Sequence, residues 1–249
     1  MSSTCEFAVG EAGKTVPRTL HFDGEIRRYW LNLPSNYDCT PRPLLVGLHG
    51  YFGNGLEFQK ETQIAEPIDK LGYIGLFPDG LPMGTSPQYP DPYRRNVTSF
   101  NDIDSHHSSG PDGPTCGRRG GVRSHLKSYD YGVYADGPPS AFKQKCHWGT
   151  SYADDEGFFR AMIAKTEKDF TVNTDRVYLT GFSQGAQTTQ SLAWRMADVF
   201  TAVSPHHGFS ANGYARAPRT PMDFFQVWST EDRIIPGTGK PSPSDGLTA

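Results

Sequence analysis

Ser183 stands in Gly181-Phe182-Ser183-Gln184-Gly185, directly after the β-branched and aromatic run Arg176-Val177-Tyr178-Leu179-Thr180. A strand that enters a Gly-x-Ser-x-Gly turn and leaves as a helix presents its serine as a nucleophile. The two glycines leave room for a sharp, strained corner that bulkier neighbours would block. Such a corner lifts the Ser183 hydroxyl out of the sheet. It also sets the Gln184 backbone N–H at a helix start, where it can stabilise an oxyanion. The chemistry is acyl transfer, and it demands a base held by an orienting carboxylate. After the expected strand Phe224–Trp228 comes Ser229-Thr230-Glu231-Asp232. A carboxylate just past the C-terminal edge of a strand lies where α/β sheets present functional groups. Asp232 is therefore the expected acid, with Glu231 as the neighbouring alternative. His49-Gly50-Tyr51 follows the apolar run Leu44–Leu48. Gly50 permits close approach of the backbone, and the Tyr51 N–H is the expected second oxyanion donor. His49 falls on this oxyanion side, either contacting substrate or hydrogen-bonding its own loop.

The base is harder to place. Histidines occur at 21, 49, 106, 107, 125, 147, 206 and 207, and none follows Asp232. In chain order the expected sequence is serine, acid, then histidine. The simplest reading is a chain that lacks its last strand, the base histidine and a final helix. His206-His207, after the strand that follows the elbow, and His147, before a helix, reach the site only through an unusual topology. The adjacent pairs 106–107 and 206–207 have no cysteine or carboxylate spaced to complete a metal site, so no metal and no cofactor is expected.

The elements that position these residues alternate between strand and helix. Residues 15–33 read as two strands joined at Asp23-Gly24, a strong hairpin signal. Leu44–Leu48 and Tyr73–Phe77 are short buried strands, and Leu56 to Leu71 has helical spacing. Asp154-Asp155-Glu156 opens a helix to about Asp169, with Ser151 or Asp154 as its cap; capping explains these carboxylates without a catalytic role. A helix over 184–197 follows the elbow, then a short strand from Ala202 to Ser204. This order predicts an α/β-hydrolase: one domain over 1–249 with a mostly parallel, doubly covered sheet and an N-terminal antiparallel hairpin. Residues 78–150 carry little periodicity and much glycine and proline, and read as a lid-like or substrate-binding insertion. Within it Arg118 to Lys127 is a basic stretch, and Trp148 is a candidate aromatic wall for substrate.

Net charge is −3 with a pI near 6.2, which gives no electrostatic reason to bind nucleic acid or a membrane surface. No apolar run is long enough to span a bilayer, and no basic n-region with an apolar core marks a signal peptide. The four cysteines, at 5, 39, 116 and 146, allow three pairings, and a bridge between Cys116 and Cys146 would pin the insertion. Asn96-Val97-Thr98 is a glycosylation sequon.

Taken together, these stretches resemble the serine esterases that include poly(3-hydroxybutyrate) depolymerases, feruloyl esterases and acetylxylan esterases. The resemblance runs in order from about residue 15 to 237. It is carried by Asp23-Gly24 with Arg27-Arg28-Tyr29 and Leu33-Pro34, Leu48 to Gly53, Phe77-Pro78-Asp79-Gly80, Asp154 to Phe158, Val177 to Ala186, and Thr230-Glu231-Asp232 with Ile235-Pro236. It implies a secreted carboxylic ester hydrolase with Ser183 as nucleophile and Asp232 as acid. The implied substrate is a polyester or a plant cell-wall ester; separately, a monomer is expected. The family's C-terminal Gly-His segment has no counterpart here. The alternative reading is therefore a catalytically impaired relative that binds polysaccharide or polyester.

Overall fold

The computed structural model of the chain describes residues 10–82, 98–100, 154–210, 218–235 and 237. Strand β1 (Thr15–Phe22) turns through Asp23-Gly24 into β2 (Glu25–Asn32), with Phe22 opposite Glu25. Both turn residues have positive φ, 49° and 76°, the backbone twist that a two-residue hairpin requires. Strand β2 also pairs antiparallel with β4 (Ile74–Pro78). From β4 the sheet is parallel through β3 (Arg42–Leu48), β7 (Val172–Phe182), β8 (Ala202–His206) and β9 (Asp223–Phe224). The strand order is β1-β2-β4-β3-β7-β8-β9. Two short strands, β5 (Leu81–Pro82) and β6 (Thr98–Ser99), pair with each other outside this sheet.

Every residue of β4 is buried, so the sheet is covered on both faces. Alternate residues of β4 show the division. Ile74 and Leu76 join Phe158, Phe159 and Met162 of α3 (Asp155–Asp169) and Leu192 of α4 (Gln184–Arg195). Phe77 points the other way, to Phe58 of α1 (Gly55–Thr62) and Ile68 of α2 (Ala65–Leu71).

The span Leu56 to Leu71 forms two helices, not one. The break falls at Gln63, whose φ is 54°, and Pro67 explains it. In one continuous helix the proline ring would clash with the Gln63 carbonyl and delete a hydrogen bond. After the break it lies in the first turn of α2, where its missing N–H costs nothing. The expected strand Phe224–Trp228 is also shorter. Only Asp223–Phe224 pair regularly, with one further bridge between His206 and Val227.

The acidic trio opening α3 is divided among three tasks. Asp154 caps the helix by accepting from the Gly157 N–H at 2.9 Å. Asp155 forms a buried ion pair with Arg27, whose guanidinium lies 4.0 Å above the Phe158 ring. Glu156 pairs with Arg160 at 3.3 Å and Arg195 at 2.6 Å. Capping thus accounts for Asp154 alone, while Asp155 ties α3 to the hairpin. Cys39 is disulfide-bonded; Cys5, Cys116 and Cys146 lie outside the described residues.

Candidate active site

Strand β7 ends at Phe182, and Ser183 follows with φ 56° and ψ −119°, a backbone state that non-glycine residues rarely occupy. Close packing enforces it. A Cβ on Gly181 would stand 2.2 Å from the Gly185 carbonyl oxygen, and one on Gly185 would stand 2.4 Å from that of Leu48. The turn is therefore wedged between its own helix and the end of β3. The Ser183 N–H donates to the His206 carbonyl at 3.0 Å, and its own carbonyl accepts from Ala186 and Gln187. Serine at a helix N-cap ordinarily folds its hydroxyl back onto the first amides. The Ser183 hydroxyl makes no such cap.

Gln184 begins α4, so its N–H has no acceptor within the helix. Its side chain is buried and grips the backbone of Phe100 at both polar atoms. The amide nitrogen donates to the Phe100 carbonyl at 2.6 Å, and the amide oxygen accepts from its N–H at 3.2 Å.

The loop 49–54 lies against the elbow; a Cβ on Gly50 would meet the Ser183 Cβ at 3.2 Å. Tyr51 sits between anchored neighbours. The Gly53 N–H donates to the Gly50 carbonyl at 3.1 Å, and the Phe52 N–H to that of Thr98 at 3.2 Å. Asn54 caps α1 through the Glu57 N–H at 3.0 Å. His49 holds the loop from beneath. Its Nε2 accepts from the Gly80 N–H at 2.9 Å, and its Nδ1 lies 2.7 Å from the Gly50 carbonyl. Nδ1 must then carry the hydrogen. Burial lowers the pKa of this ring from its ordinary 6.5, and the bond to Gly50 only partly opposes it. His49 was expected to contact substrate or to hold its loop. With 1% exposure and both nitrogens committed to backbone, it has no polar atom left for a substrate.

Asp79 completes the support. Its Oδ1 accepts from the Gly55 N–H at 2.8 Å at the start of α1, and its Oδ2 pairs with Arg28 on β2. The residue quoted in the Pro78-Asp79-Gly80 stretch is thus a strut between hairpin, loop and helix. Its signal in the sequence is the Asp-Gly pair that follows the buried strand β4.

On the other side of the elbow, Phe182 of β7 pairs with His206 of β8, which in turn bridges to Val227 beyond β9. Their C-terminal ends share one rim of the sheet. Asp232 follows on this rim; its Oδ1 accepts from Ile234 at 2.9 Å and Ile235 at 3.0 Å. Its Oδ2 lies 3.8 Å from His207 Nδ1. Glu231 is exposed and Asp232 is half-buried, which separates the two candidates. His206 turns its ring away, 2.9 Å from Ser204 Oγ, and burial lowers its pKa, with the neighbouring His207 adding to the effect.

A cavity of about 440 Å³ opens beside the elbow, lined by Tyr51, Phe52, Glu57, Phe58, Glu61 and Phe182, among others. The structure therefore brings together Ser183, Gln184 and the Tyr51 loop, and sets Asp232 beside His207, one residue past the end of the neighbouring strand β8. Trp148, His147 and the basic stretch Arg118 to Lys127 lie outside the described residues. No described helix is long and apolar enough to cross a membrane.

The chain has the α/β-hydrolase fold. A thermostable esterase superposes with a TM-score of 0.51 at 15% identity, over 92% of this chain and 49% of that one. Among curated proteins, it is 30% identical over 88 residues to a bifunctional acetylxylan esterase/xylanase of Neocallimastix patriciarum, covering 35% of this chain and 13% of that protein. It is 29% identical over 92 residues to a probable feruloyl esterase C of Aspergillus clavatus, covering 37% of this chain and 34% of that protein. The chain thus matches only a minor part of the length of either curated relative. No protein-family model matches it.

Proposed function

We propose that the chain is a serine carboxylic ester hydrolase. One observation carries this reading: the Ser183 hydroxyl stands at a strained elbow and is not spent on capping its helix. Strain of this kind costs about 1–3 kcal/mol and persists where function over-determines it. Ser183 Oγ attacks the ester carbonyl. The N–H groups of Gln184 and Tyr51 receive the charge that develops on the carbonyl oxygen, a contribution of about 2.7–4 kcal/mol for one donor. Asp232, held by the amides of Ile234 and Ile235, orients the imidazole that moves the proton.

The partial matches to an acetylxylan esterase and a feruloyl esterase favour esters of plant cell-wall polysaccharides as substrates; a polyester is the alternative acyl chain. Such polymers lie outside cells, and the disulfide at Cys39 suits an oxidising compartment. Acetyl-xylan and feruloyl-arabinose should be cleaved, and a fluorophosphonate probe should label the chain at a single serine. Ser183→Ala should lose both turnover and label. A folded chain that takes no label ends the hydrolase reading and leaves the polysaccharide-binding one.

A further inference from the structure

The cavity beside the elbow has walls that acyl transfer itself does not use. It measures about 440 Å³ and lies against Gly50 and Phe182, two residues that adjoin the nucleophile. Its aromatic surface is open. Phe52 is 58% exposed and Phe182 46% exposed, while Phe58, on the same wall, is buried. Phe52 also holds φ 72°, an outlier for so bulky a residue. Its N–H donates to the Thr98 carbonyl at 3.2 Å, and its ring meets that of Tyr51 edge-on with centroids 4.2 Å apart. The loop thus stores backbone strain while keeping two rings at the cavity. Such strain clusters at ligand sites.

Two carboxylates share this aromatic wall. Glu57 and Glu61 stand four residues apart on α1, and both line the cavity. Like charges at that spacing destabilise a helix. Glu61 also falls in the last turn, where the helix dipole disfavours an anion. Only Glu57, in the first turn, has a local explanation. Among the described residues, neither glutamate forms an ion pair. Breaches of local helix rules are expected where function requires them. The charge of Glu57 is felt at the site: burial dominates the His49 ring and lowers its pKa, and Glu57 is among the groups that oppose it. Ring faces and carboxylates attract the same kind of ligand. A ring face is the negative side of a quadrupole, a carboxylate is a full negative charge, and an alkylated ammonium packs against one while it attracts the other.

We infer that this cavity is a charge-selective substrate pocket, in which Tyr51, Phe52 and Phe182 pack against an apolar body and Glu57 and Glu61 choose a cationic group upon it. The inference rests on the ester hydrolase reading and names the substrate class of that same site. Esters that carry an ammonium group are preferred, neutral esters follow, and esters that carry a carboxylate at this position are rejected. The selection acts on binding and adds no chemical step. It combines attraction of one class with repulsion of another, the arrangement that gives a site specificity beyond its affinity.

The test uses the 249-residue chain and three probes of one shape: tetramethylammonium, tert-butyl alcohol and pivalate, compared at constant ionic strength. Saturation-transfer NMR of their methyl signals reads binding without turnover, and inhibition of p-nitrophenyl acetate hydrolysis reads it at the working site. Tetramethylammonium should bind on the order of 10-fold more tightly than tert-butyl alcohol, and pivalate on the order of 10-fold more weakly. The spread should shrink as ionic strength rises from about 0.1 M to about 1 M. Combining Glu57→Gln with Glu61→Gln should bring the three probes to within about 2-fold of one another, because the charge is gone and the rings remain. Glu66→Gln, on α2 and outside the cavity wall, should leave the parent order intact. Equal binding of the three probes, or an unchanged spread in the double variant, overturns the inference. If p-nitrophenyl acetate is still turned over in that case, the hydrolase reading stands. A chain that binds the probes in the expected order yet turns over no ester and takes no fluorophosphonate overturns the hydrolase reading and keeps the charge preference of the cavity. Should the double variant fail to fold, the probe order in the parent and its salt dependence decide the matter.

Discussion

His49 and Gly185 show how single residues hold the candidate site. His49 is neutral in the fold because burial opposes its charge, whereas in the unfolded chain it titrates near 6.5. A histidine with a lowered folded pKa contributes stability above its unfolded value, and that contribution is lost as pH falls through the folded one. Chemical denaturation should therefore show stability declining below about pH 6.5. His49→Gln should flatten the decline; an unchanged slope would show that another group causes it. His206 is shifted the same way by burial, so a residual slope is expected. Gly185→Ala would push a methyl to within 2.4 Å of the Leu48 carbonyl. The elbow helix would have to retreat from β3, costing about 1–3 kcal/mol. Activity should fall further than stability, because the Gln184 N–H retreats with it; a variant that melts lower but keeps its kcat would refute that coupling.

Between elements, two buried carboxylates matter most. Asp155→Ala leaves the Arg27 guanidinium buried without its partner, at a cost of about 3–5 kcal/mol. Denaturant melts should show the loss, and an equal tolerance of Asp155→Ala and of an exposed change such as Glu167→Ala would contradict it. Asp79→Ala frees the Gly55 N–H and the Arg28 head at once, costing about 1–3 kcal/mol. It loosens the loop carrying the Tyr51 N–H, so kcat should drop more than KM rises; a pure KM effect would assign Asp79 to substrate binding instead. Much of this level was legible in the chain. The Asp23-Gly24 hairpin, the buried runs of β3 and β4, and the elbow strand and helix all carried local signals, because turn chemistry and periodicity are local properties. Pro67 was an equally local signal for splitting 56–71. What stayed hidden was long-range. No spacing reveals that Arg27 meets Asp155 across 128 positions, or that Asp79 reaches both Arg28 and Gly55. The approach of His207 to Asp232 was hidden for the same reason: it exists only once the end of β8 and the segment after β9 lie side by side.

At the scale of the whole molecule, β9 stands last in the sheet order among the described residues, and it and the segment that follows carry exposed apolar side chains. Phe224 and Phe225 are 50% and 67% exposed, and Trp228 is 50% exposed. An apolar strand edge is a template for association. Phe225→Lys should reduce concentration-dependent association of this chain in sedimentation; identical profiles would place the contact elsewhere.

The same scale gives meaning to the grip of Gln184 on Phe100. Phe100 is the last described residue before the stretch 101–153, and Asp154 and Asp155 are the first after it. One root is moored to the side chain beside the nucleophile, and the other to the guanidinium of Arg27. The residues that flank this stretch are therefore fixed independently of it, Phe100 to the elbow helix and Asp155 to the hairpin. Under the proposed ester hydrolase reading, exchanging residues within 101–153 should change which ester is turned over without moving the Gln184 amide.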